Sequence, residues 1–370
     1  MKVCIIGSHG IPARHGGIET FASHLALACA EAGIEVTVVN EKNNPVEDIH
    51  SNIRLISSKY NKSEQPLKYY RDSLRLAAGN DIILCCGVGG ALYYKSSKLP
   101  FTKIITNIDG LEHRRKKYSV LQRLFVYYLQ GIANKRSDYL IADCVEIWGY
   151  WNNRFPGNSQ SLKMIGYGAD DPFPFDAAIV ENYGLKQNEY FLAIARIVPE
   201  NNLEEIIDAY NHYLGHKKLV IVGNLGNDKY SRKLKQISSV NVLFTGAIYD
   251  KRILDSLRKG CFIYLHGHSV GGANPSLIEA MAAGCACICH ENVFNREVTA
   301  GTQMFFDAAF DLAIMMNILE HKASEIDSFK EKSLKRIREK YSWERNCSLY
   351  IELFKRISVG IKIKVPVRHE

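Results

Sequence analysis

Short apolar runs alternate with amphipathic stretches along most of the chain. In the first half this pattern predicts a helix over Glu19–Ala32 and five strands around it. Alternating strands and helices imply crossover connections, and therefore a parallel sheet. The five predicted strands are Val3–Ile6, Glu35–Val39, Ile82–Cys85, Lys103–Asn107 and Tyr139–Ala142.

A second series of strands follows a segment rich in glycine and proline at residues 166–175. Such residues punctuate periodic structure, so this segment predicts a linker. The result is two Rossmann-like units in tandem, an α/β fold with predicted domains at residues 1–170 and 171–342. The strands of the second series are Tyr190–Ala195, Lys218–Val222, Val240–Phe244, Phe262–Leu265 and Ala286–Cys289.

Residues 343–370 are predicted as a separate C-terminal element. Apolar positions at helical spacing predict an amphipathic helix over Trp343–Ile357. Periodicity leaves open whether this helix packs on the second domain or returns to the first.

Composition is compatible with two ordinary globular domains. The chain has 370 residues, of which 46% are hydrophobic and 23% charged. The start, from Met1, is typical of a strand rather than a signal peptide, and no apolar run is long enough to span a bilayer. We therefore expect a cytoplasmic protein. Its ten cysteines lie mostly in apolar runs, which predicts buried thiols rather than disulfides or zinc ligands.

The formal net charge of +8 is unevenly distributed. One basic run is Arg114–Lys117, and a second group near the C-terminus comprises Arg356, Lys362, Lys364 and Arg368. Such groups attract anionic lipid head groups or a polyanionic substrate, although solvated helix faces have the same composition. The aromatic-rich stretch Leu121–Leu129 fits an interfacial helix or one buried against the sheet. Nucleic-acid binding is not expected, because no aromatic-plus-basic motif accompanies the charge.

A glycine-rich turn follows the first predicted strand and ends with Gly16 and Gly17 ahead of a helix. Backbone amides at such a helix start form an anion site suited to a diphosphate, although a plain strand-to-helix turn remains an alternative. The spacing does not match the dinucleotide fingerprint G-x-G-x-x-G, which disfavours a nicotinamide dehydrogenase.

Arg196 stands at the end of the first strand of the second domain. Ligands of open α/β sheets bind outside the carboxyl ends of the strands, and a guanidinium suits a phosphate there. An ion pair of Arg196 with Glu200 or Glu204 at the surface is the alternative.

The segment His266–Gly284 carries the strongest signal. Asn274 is predicted as an N-cap with Pro275 at the first helical position, so the amides from Gly272 to Ser276 form a second anion site. Glu279, one turn into that helix, can accept hydrogen bonds from two ribose hydroxyls. For His266 and His268, substrate contact and ordinary loop packing both remain open.

Three motifs of the second half resemble glycosyltransferase family 4, whose members have the GT-B fold. These are Arg196-Ile-Val-Pro-Glu-Asn, the helix start Asn274-Pro-Ser-Leu-Ile-Glu-Ala-Met and Tyr341-Ser-Trp. The segments Gly10–Phe21 and Asn107-Ile-Asp-Gly-Leu-Glu resemble a subgroup that contains β-1,4-rhamnosyltransferases of capsule and cell-wall polysaccharide assembly. The resemblance covers nearly the whole chain.

The resemblance implies two Rossmann-like domains facing each other across a cleft, with the sugar nucleotide held mainly by the second and the acceptor by the first. The donor-binding residues implied are Gly16, Gly17, Arg196, Asn201, Gly272, Asn274, Pro275, Ser276 and Glu279. The acceptor-binding residues predicted are Glu19 and His113. The sequence departs from the family at two positions: Gly271 replaces a glutamate that contacts the donor sugar, and Asn201 replaces a lysine.

Asp109 and Arg196 are the predicted catalytic residues. Asp109 follows the strand Lys103–Asn107, where a carboxylate could orient the acceptor hydroxyl or stabilise an oxocarbenium-like transition state, unless it only forms an Asp-Gly turn. Family members resemble retaining enzymes in which the leaving phosphate helps to deprotonate the acceptor. We expect no metal and no cofactor, because helix-start amides and Arg196 supply the charge stabilisation.

The expected activity is the transfer of a hexose or deoxyhexose, best L-rhamnose from dTDP-L-rhamnose or else a sugar from a UDP donor. The acceptor would be an undecaprenyl-diphosphate-linked saccharide in O-antigen or capsule synthesis, with peripheral contact at the inner face of the bacterial plasma membrane. Two alternatives remain: a GT-B-type sugar-nucleotide epimerase and a non-catalytic scaffold of the same fold.

Overall fold

Two compact units make up the chain in the computed structural model. The first comprises Met1–Tyr167 together with the segment from Trp343 onward, and the second is Gly168–Ser342. The boundaries predicted from the sequence were 170 and 342. The structure describes residues 1–12, 17–44, 49–97, 102–108, 110–111, 113, 118–158, 161–270 and 272–358.

The first unit is built on a parallel sheet of seven strands in the order β3-β2-β1-β4-β5-β6-β7. The reversal of strand order between β1 and β4 is the switch point of a doubly wound sheet, where such folds bind ligands. The strands are β1 (Lys2–Ile6), β2 (Glu35–Asn40), β3 (Ile53–Ser57), β4 (Ile82–Cys86), β5 (Lys103–Asn107), β6 (Tyr139–Ala142) and β7 (Leu162–Met164).

Helices connect these strands, and short 3-10 helices lie at Val88–Tyr93 and Pro156–Asn158. β1 and β4 at the centre of the sheet are buried almost throughout, which is the pattern of a parallel sheet covered on both faces. The α-helices of the first unit are α1 (Gly17–Glu31), α2 (Pro66–Leu76), α3 (Tyr94–Ser97), α4 (Val120–Arg136), α5 (Val145–Arg154) and, from the end of the chain, α14 (Trp343–Ser358).

The last helix, α14, packs in the first unit. Phe21 of α1 lies 5.1 Å from the Tyr350 ring and 6.5 Å from the Trp343 ring, centroid to centroid. Asn107, at the end of β5, donates a hydrogen bond to the Tyr350 hydroxyl at 3.1 Å. The question that periodicity left open is therefore answered by side-chain contacts between α14 and both α1 and β5.

The second unit has a parallel sheet of six strands in the order β10-β9-β8-β11-β12-β13, with its switch point between β8 and β11. A 3-10 helix at Pro199–Asn201 follows β8. The strands are β8 (Tyr190–Ile194), β9 (Lys218–Val222), β10 (Val242–Gly246), β11 (Ile263–His266), β12 (Cys287–His290) and β13 (Met304–Phe306). The helices are α6 (Ala177–Asn182), α7 (Leu203–Asn211), α8 (Lys229–Ile237), α9 (Lys251–Gly260), α10 (Pro275–Ala282), α11 (Val293–Thr299), α12 (Ala309–Leu319) and α13 (Ala323–Lys340).

All ten predicted strands are confirmed, with ends that shift by two residues or fewer. Sequence reasoning missed β3, β7 and β13, which are all edge strands. β7 and β13 are three residues long, and only Ile53 of β3 is fully buried, so neither length nor hydrophobic pattern reveals them.

The ten cysteines are free and buried, as the sequence predicted. Burial raises the pKa of the Cys29 and Cys347 thiols to about 12. No helix among the described residues is long and apolar enough to cross a bilayer.

Candidate functional site

The strongest sequence motifs of the second unit meet at its switch point. β8 and β11 are hydrogen-bonded neighbours, so their carboxyl ends lie side by side. Arg196 follows the end of β8 by two residues, and the loop after β11 leads directly into α10. These are the two positions at which an open α/β sheet offers a ligand site.

Direct contacts join these two loops. The backbone N–H and the hydroxyl of Ser269 both donate to the Glu200 carbonyl, at 3.0 and 2.9 Å. A Cβ at Gly267 would lie 2.3 Å from the Asn201 carbonyl oxygen, so only glycine allows this approach. Arg196 and the start of α10 are therefore held at one edge of the sheet.

The Arg196 side chain is exposed, and it makes no ion pair with a described residue. The alternative pairing with Glu204 does not occur, because that carboxylate pairs with Lys233. Asn201 is 2% exposed, and its amide donates to the Arg196 carbonyl at 2.8 Å. Asn201 thus stabilises the turn that presents Arg196. Its buried side chain is used in this hydrogen bond, so it does not replace the charge of the lysine that the family has at this position. Its predicted donor contact stays a prediction.

The start of α10 has the capping geometry that the sequence predicted. Asn274 is the N-cap, its side chain accepts a hydrogen bond from the Ser276 N–H at 3.0 Å, and Pro275 occupies the first helical position. The Ser276 hydroxyl in turn donates to the Ile194 carbonyl at the end of β8, at 3.3 Å. Because the Ser276 amide is used by the cap, the N–H groups left for an anion are those of Gly272, Ala273 and Asn274, which have no acceptor among the described residues. Gly271 lies outside the described residues.

Glu279 belongs to a buried charge network that sequence reasoning missed. Arg258, near the end of α9 and 2% exposed, donates to one carboxylate oxygen of Glu279 and, at 3.1 Å, to Asp255. Asp255, also 2% exposed, accepts from Lys251 at 2.9 Å. Burial lowers the pKa of the Arg258 guanidinium, but the neighbouring acidic groups, Glu279 first and Asp255 among them, together outweigh it and the net shift is upward. The Arg258 guanidinium is therefore charged in the folded protein.

This network determines how Glu279 presents its carboxylate. Arg258 holds Oε2, while Oε1 makes no hydrogen bond with a described residue, and the side chain is 36% exposed. One oxygen of this carboxylate is held by Arg258 and the other can accept hydrogen bonds from a ligand. Such a carboxylate suits a ligand with hydroxyl groups, because its orientation is set before binding. The missed residue Arg258 had one sequence signal: it is basic at a helix position where the neighbours Leu257 and Cys261 are apolar.

Three histidines lie at the carboxyl ends of β11 and β12. His266 is 1% exposed, neither of its ring nitrogens has a hydrogen-bond partner, and its ring stacks on His268 at 4.4 Å between centroids. Burial, with the neighbouring His268 and His290, moves the pKa of His266 well below its ordinary value. His266 is therefore neutral and fully packed, and the His268 carbonyl accepts from Asn292 and Asn295 at 3.0 Å each.

In the first unit, polar side chains fix the glycine turn after β1. Gly7 has φ +88°, and a Cβ there would lie 2.4 Å from the Cys86 carbonyl oxygen, so the residue must be glycine. The Asn40 side chain bonds the Ile11 backbone twice, with the Ile11 N–H donating at 3.0 Å and the Ile11 carbonyl accepting at 2.8 Å. Asn40 is a second residue that sequence reasoning missed, since it looks like the ordinary end of a strand.

Glu19 also serves this turn. It lies in the first turn of α1, is 5% exposed, and accepts a hydrogen bond from the His9 N–H at 2.8 Å. This geometry favours a role in holding the turn, so acceptor binding by Glu19 stays a prediction. Gly17 is the first residue of α1, at the carboxyl edge of the sheet, whereas Gly16 lies outside the described residues.

His113 lies in a polar and aromatic cluster between α4 and α5. Its Nδ1 is 3.1 Å from Nε2 of the buried Gln130, and its Nε2 is 3.3 Å from the Tyr150 hydroxyl. Arg154 bonds both Gln130 and Tyr150, and its guanidinium lies 3.3 Å from the centroid of the Tyr127 ring. Both ring nitrogens of His113 thus have protein partners. Asp109, the predicted catalytic carboxylate, and the basic run Arg114–Lys117 lie outside the described residues.

No set of three or more His, Cys, Asp or Glu side chains is arranged for a metal ion in the described part of the chain. Among the described residues at the switch point of the second unit, Arg196 and Glu279 supply charged side chains, and the amides ahead of α10 supply hydrogen-bond donors.

Part of the chain matches a known family model, and its fold is similar to that of solved structures. Residues 177–307 match the family model described as glycosyl transferases group 1. Sucrose-phosphate synthase from Thermosynechococcus elongatus has a similar structure, with a TM-score of 0.80 and 16% identity over 97% of this chain and 100% of that chain. Anabaena HepE in complex with UDP and glucose gives a TM-score of 0.75 and 15% identity, over 96% and 99% of the two chains. The catalytic domain of starch synthase IV from Arabidopsis thaliana, bound to ADP and acarbose, gives 0.70 and 15%, also over 96% and 99%. No curated protein matched.

The chain is a glycosyltransferase with the GT-B fold. Its second unit carries the glycosyltransferase group 1 domain, and the matched residues include Arg196, the start of α10 and Glu279.

Proposed function

We propose that the chain transfers a sugar from a nucleotide donor to a lipid-linked saccharide, and that the second unit binds the donor. The observation that carries this proposal is the joined pair of loops that brings exposed Arg196 to the start of α10 and Glu279. An exposed guanidinium and outward N–H groups suit a diphosphate, and the fixed Glu279 carboxylate suits a ribose. HepE, a protein of similar fold, was solved with UDP-glucose.

For the donor we propose dTDP-L-rhamnose, with a UDP-sugar as the second candidate. The resemblance to rhamnosyltransferases supports this choice. So does Gly271, because a position without a carboxylate leaves a less polar corner that suits a 6-deoxy sugar. Asn274, three residues further along the chain, is the neighbour that would supply hydroxyl recognition there.

For the reaction we propose retention of anomeric configuration without a metal or other cofactor. Arg196 and the amides ahead of α10 would stabilise the charge that develops on the leaving diphosphate. The leaving phosphate would accept the proton of the acceptor hydroxyl, while Asp109 would orient that hydroxyl or stabilise the sugar cation. Donor contacts by Gly16 and Gly17, and acceptor contacts by His113, complete the proposed site.

For the acceptor we propose an undecaprenyl-diphosphate-linked saccharide in surface-polysaccharide synthesis, such as O-antigen or capsule, at the inner face of the bacterial plasma membrane. The family resemblance supports it, as does the basic run Arg114–Lys117. A cytoplasmic enzyme in peripheral contact with the membrane would reach both donor and acceptor.

The donor site is tested by thermal shift of the full chain with dTDP-, UDP- and GDP-sugars. At about a hundred times Kd a ligand stabilises by about 2.7 kcal/mol, which raises Tm by about 5 to 10 °C. We expect one donor class to give this shift, and Arg196→Ala and Glu279→Gln to lose it. Arg232→Ala, which removes an exposed arginine of α8, should keep it.

Two other outcomes would favour the competing functions. Conversion of a sugar nucleotide with no acceptor present would identify an epimerase. If no nucleotide changes Tm and no donor is turned over, the chain would be a scaffold of GT-B fold, and the departures at Gly271 and Asn201 would explain the loss.

A further inference from the structure

One face of α4 is apolar and exposed. Five side chains on this face, which we call the α4 apolar face, are between 40% and 78% exposed, and they are Val120, Leu121, Leu124, Phe125 and Tyr128. With 100° per residue they fall within about 140° around the helix axis, so they form one continuous stripe. Single exposed apolar side chains are ordinary on soluble proteins, but five exposed apolar side chains on successive turns of one helix form a patch.

The helix is well defined where this face begins. Ser119 caps it, and a reciprocal pair of hydrogen bonds with Gln122 forms a capping box. Further along, Leu129, Gln130 and Ala133 are buried. The C-terminal half of α4 thus anchors in the first unit, while the first turns carry their apolar side chains outward on a fixed backbone.

The charge around α4 identifies the kind of surface that would cover this face. From His113 to Ser137 the sequence contains no aspartate or glutamate, and it contains Arg114, Arg115, Lys116, Lys117, Arg123, Lys135 and Arg136. An apolar stripe that includes aromatic rings, in a stretch of sequence with basic and no acidic residues, has the composition of a helix at the interface of an anionic bilayer. A protein partner would be expected to meet acidic as well as basic groups.

We propose that the α4 apolar face inserts into the interface of an anionic lipid bilayer and docks the first unit on the membrane. The inference deepens the proposed function, on which it rests for a lipid-linked acceptor. Apolar side chains supply burial in the acyl boundary, and the basic residues add attraction to the lipid head groups that falls with salt.

The test is flotation of the full chain with vesicles of phosphatidylglycerol and phosphatidylcholine in equal parts. We expect the wild-type protein to bind these vesicles. The double variant Leu121→Ser/Leu124→Ser should bind them about tenfold or more weakly, since two apolar side chains that would be buried in the bilayer are lost. The control is Leu214→Ser/Val240→Ser, which removes two residues that are 86% and 99% exposed in the second unit and should bind as the wild type. Vesicles of phosphatidylcholine alone, or raised salt, should weaken binding of all three proteins.

A second readout reports insertion itself. In Phe125→Trp, emission of the new tryptophan, taken as the difference from wild type, should shift to the blue on adding the anionic vesicles. Equal flotation of the α4 double variant and the wild type would overturn the proposal, as would a change in oligomeric state of that variant with unaltered vesicle binding.

Failure of the proposed function would look different. Transfer to a short-chain acceptor in detergent should be unchanged in Leu121→Ser/Leu124→Ser if the α4 apolar face only docks the protein. Vesicle binding without donor binding or transfer would support the α4 apolar face as a docking surface and would contradict the proposed transfer to a lipid-linked acceptor.

Discussion

At the scale of single residues, the orientation of Glu279 depends on Arg258 rather than on its own helix. A buried guanidinium between two carboxylates costs desolvation, and only good geometry offsets that cost. Here the network ends in Lys251, which is 34% exposed, so the charges continue from the interior to the surface. The arrangement fixes the carboxylate before a ligand arrives.

Arg258→Met should therefore destabilise the second unit by about 3 to 5 kcal/mol, because Asp255 and Glu279 lose their buried partner. Amide hydrogen exchange of β8 and β11 measures the effect. Arg252→Met is the control on the same helix: Arg252 pairs with Asp176 at 3.0 Å and is 63% exposed, so its loss should cost about 1 kcal/mol or less. Equal protection of β8 and β11 in both variants would contradict the network.

The lowered pKa of His266 predicts that the stability of the second unit depends on pH. Its pKa is lowered by burial and by His268 and His290. Below about pH 6.5, therefore, His266 binds a proton in the unfolded chain but stays neutral in the folded chain. Stability should be complete above that pH and fall as the pH drops, by at most about 1.4 kcal/mol per pH unit.

The variant His266→Phe keeps an aromatic ring against Tyr264 and His268 but cannot take up a proton. Hydrogen exchange of β11 and β12 between pH 5 and 8 should show a shallower acid loss than in the wild type. His212→Phe removes an exposed histidine of the same unit and should leave the slope unchanged. A slope that stays the same in both variants would mean that His266 does not titrate in unfolding.

Single residues also mark where sequence reasoning reached its limit. Asn274 and Pro275 were predictable because a cap depends on neighbours along the chain, and the structure confirms them. The partner of Glu279 is 21 residues away on another helix. Such a contact depends on how α9 and α10 pack, so periodicity carries no information about it.

At the scale of elements, α14 shows that the end of the chain stabilises its beginning. Tyr350 and Phe354 are buried, and His24 of α1 stacks on Trp343 at 4.5 Å between centroids. Amphipathic periodicity predicted the helix, but an apolar stripe does not reveal which domain covers it. By the same reasoning, the edge strand β3 escaped prediction because its burial is set by neighbours rather than by its own pattern.

Phe354→Ala should destabilise the first unit by about 3 to 5 kcal/mol, through lost burial and the cavity left behind. The three tryptophans, Trp148, Trp151 and Trp343, all lie in the first unit, so urea unfolding followed by tryptophan fluorescence reports on that unit. Lys355→Ala, at the exposed neighbouring position, should leave the transition in place. An unchanged midpoint in Phe354→Ala would show that α14 does not stabilise the first unit.

At the scale of the whole molecule, the chain is a GT-B glycosyltransferase whose two sheets each have a switch point with a glycine-rich loop. The class of fold was predictable from the sequence, because alternating strands and helices favour parallel doubly wound sheets. The substrates were not, because they depend on side chains that several loops bring together. We propose that Arg196, the start of α10 and Glu279 hold a sugar nucleotide whose sugar is transferred to a lipid-linked acceptor.

The most direct measurement is transfer of radiolabelled rhamnose from dTDP-L-rhamnose to the lipid fraction, with an undecaprenyl-diphosphate-linked saccharide present. We expect labelled lipid with the wild type and with Arg232→Ala, and a loss of about tenfold or more with Glu279→Gln because a charged hydrogen bond to the donor is weakened. Label that stays in the nucleotide fraction for dTDP- and UDP-sugars alike, with wild-type protein that binds the donor, would contradict it.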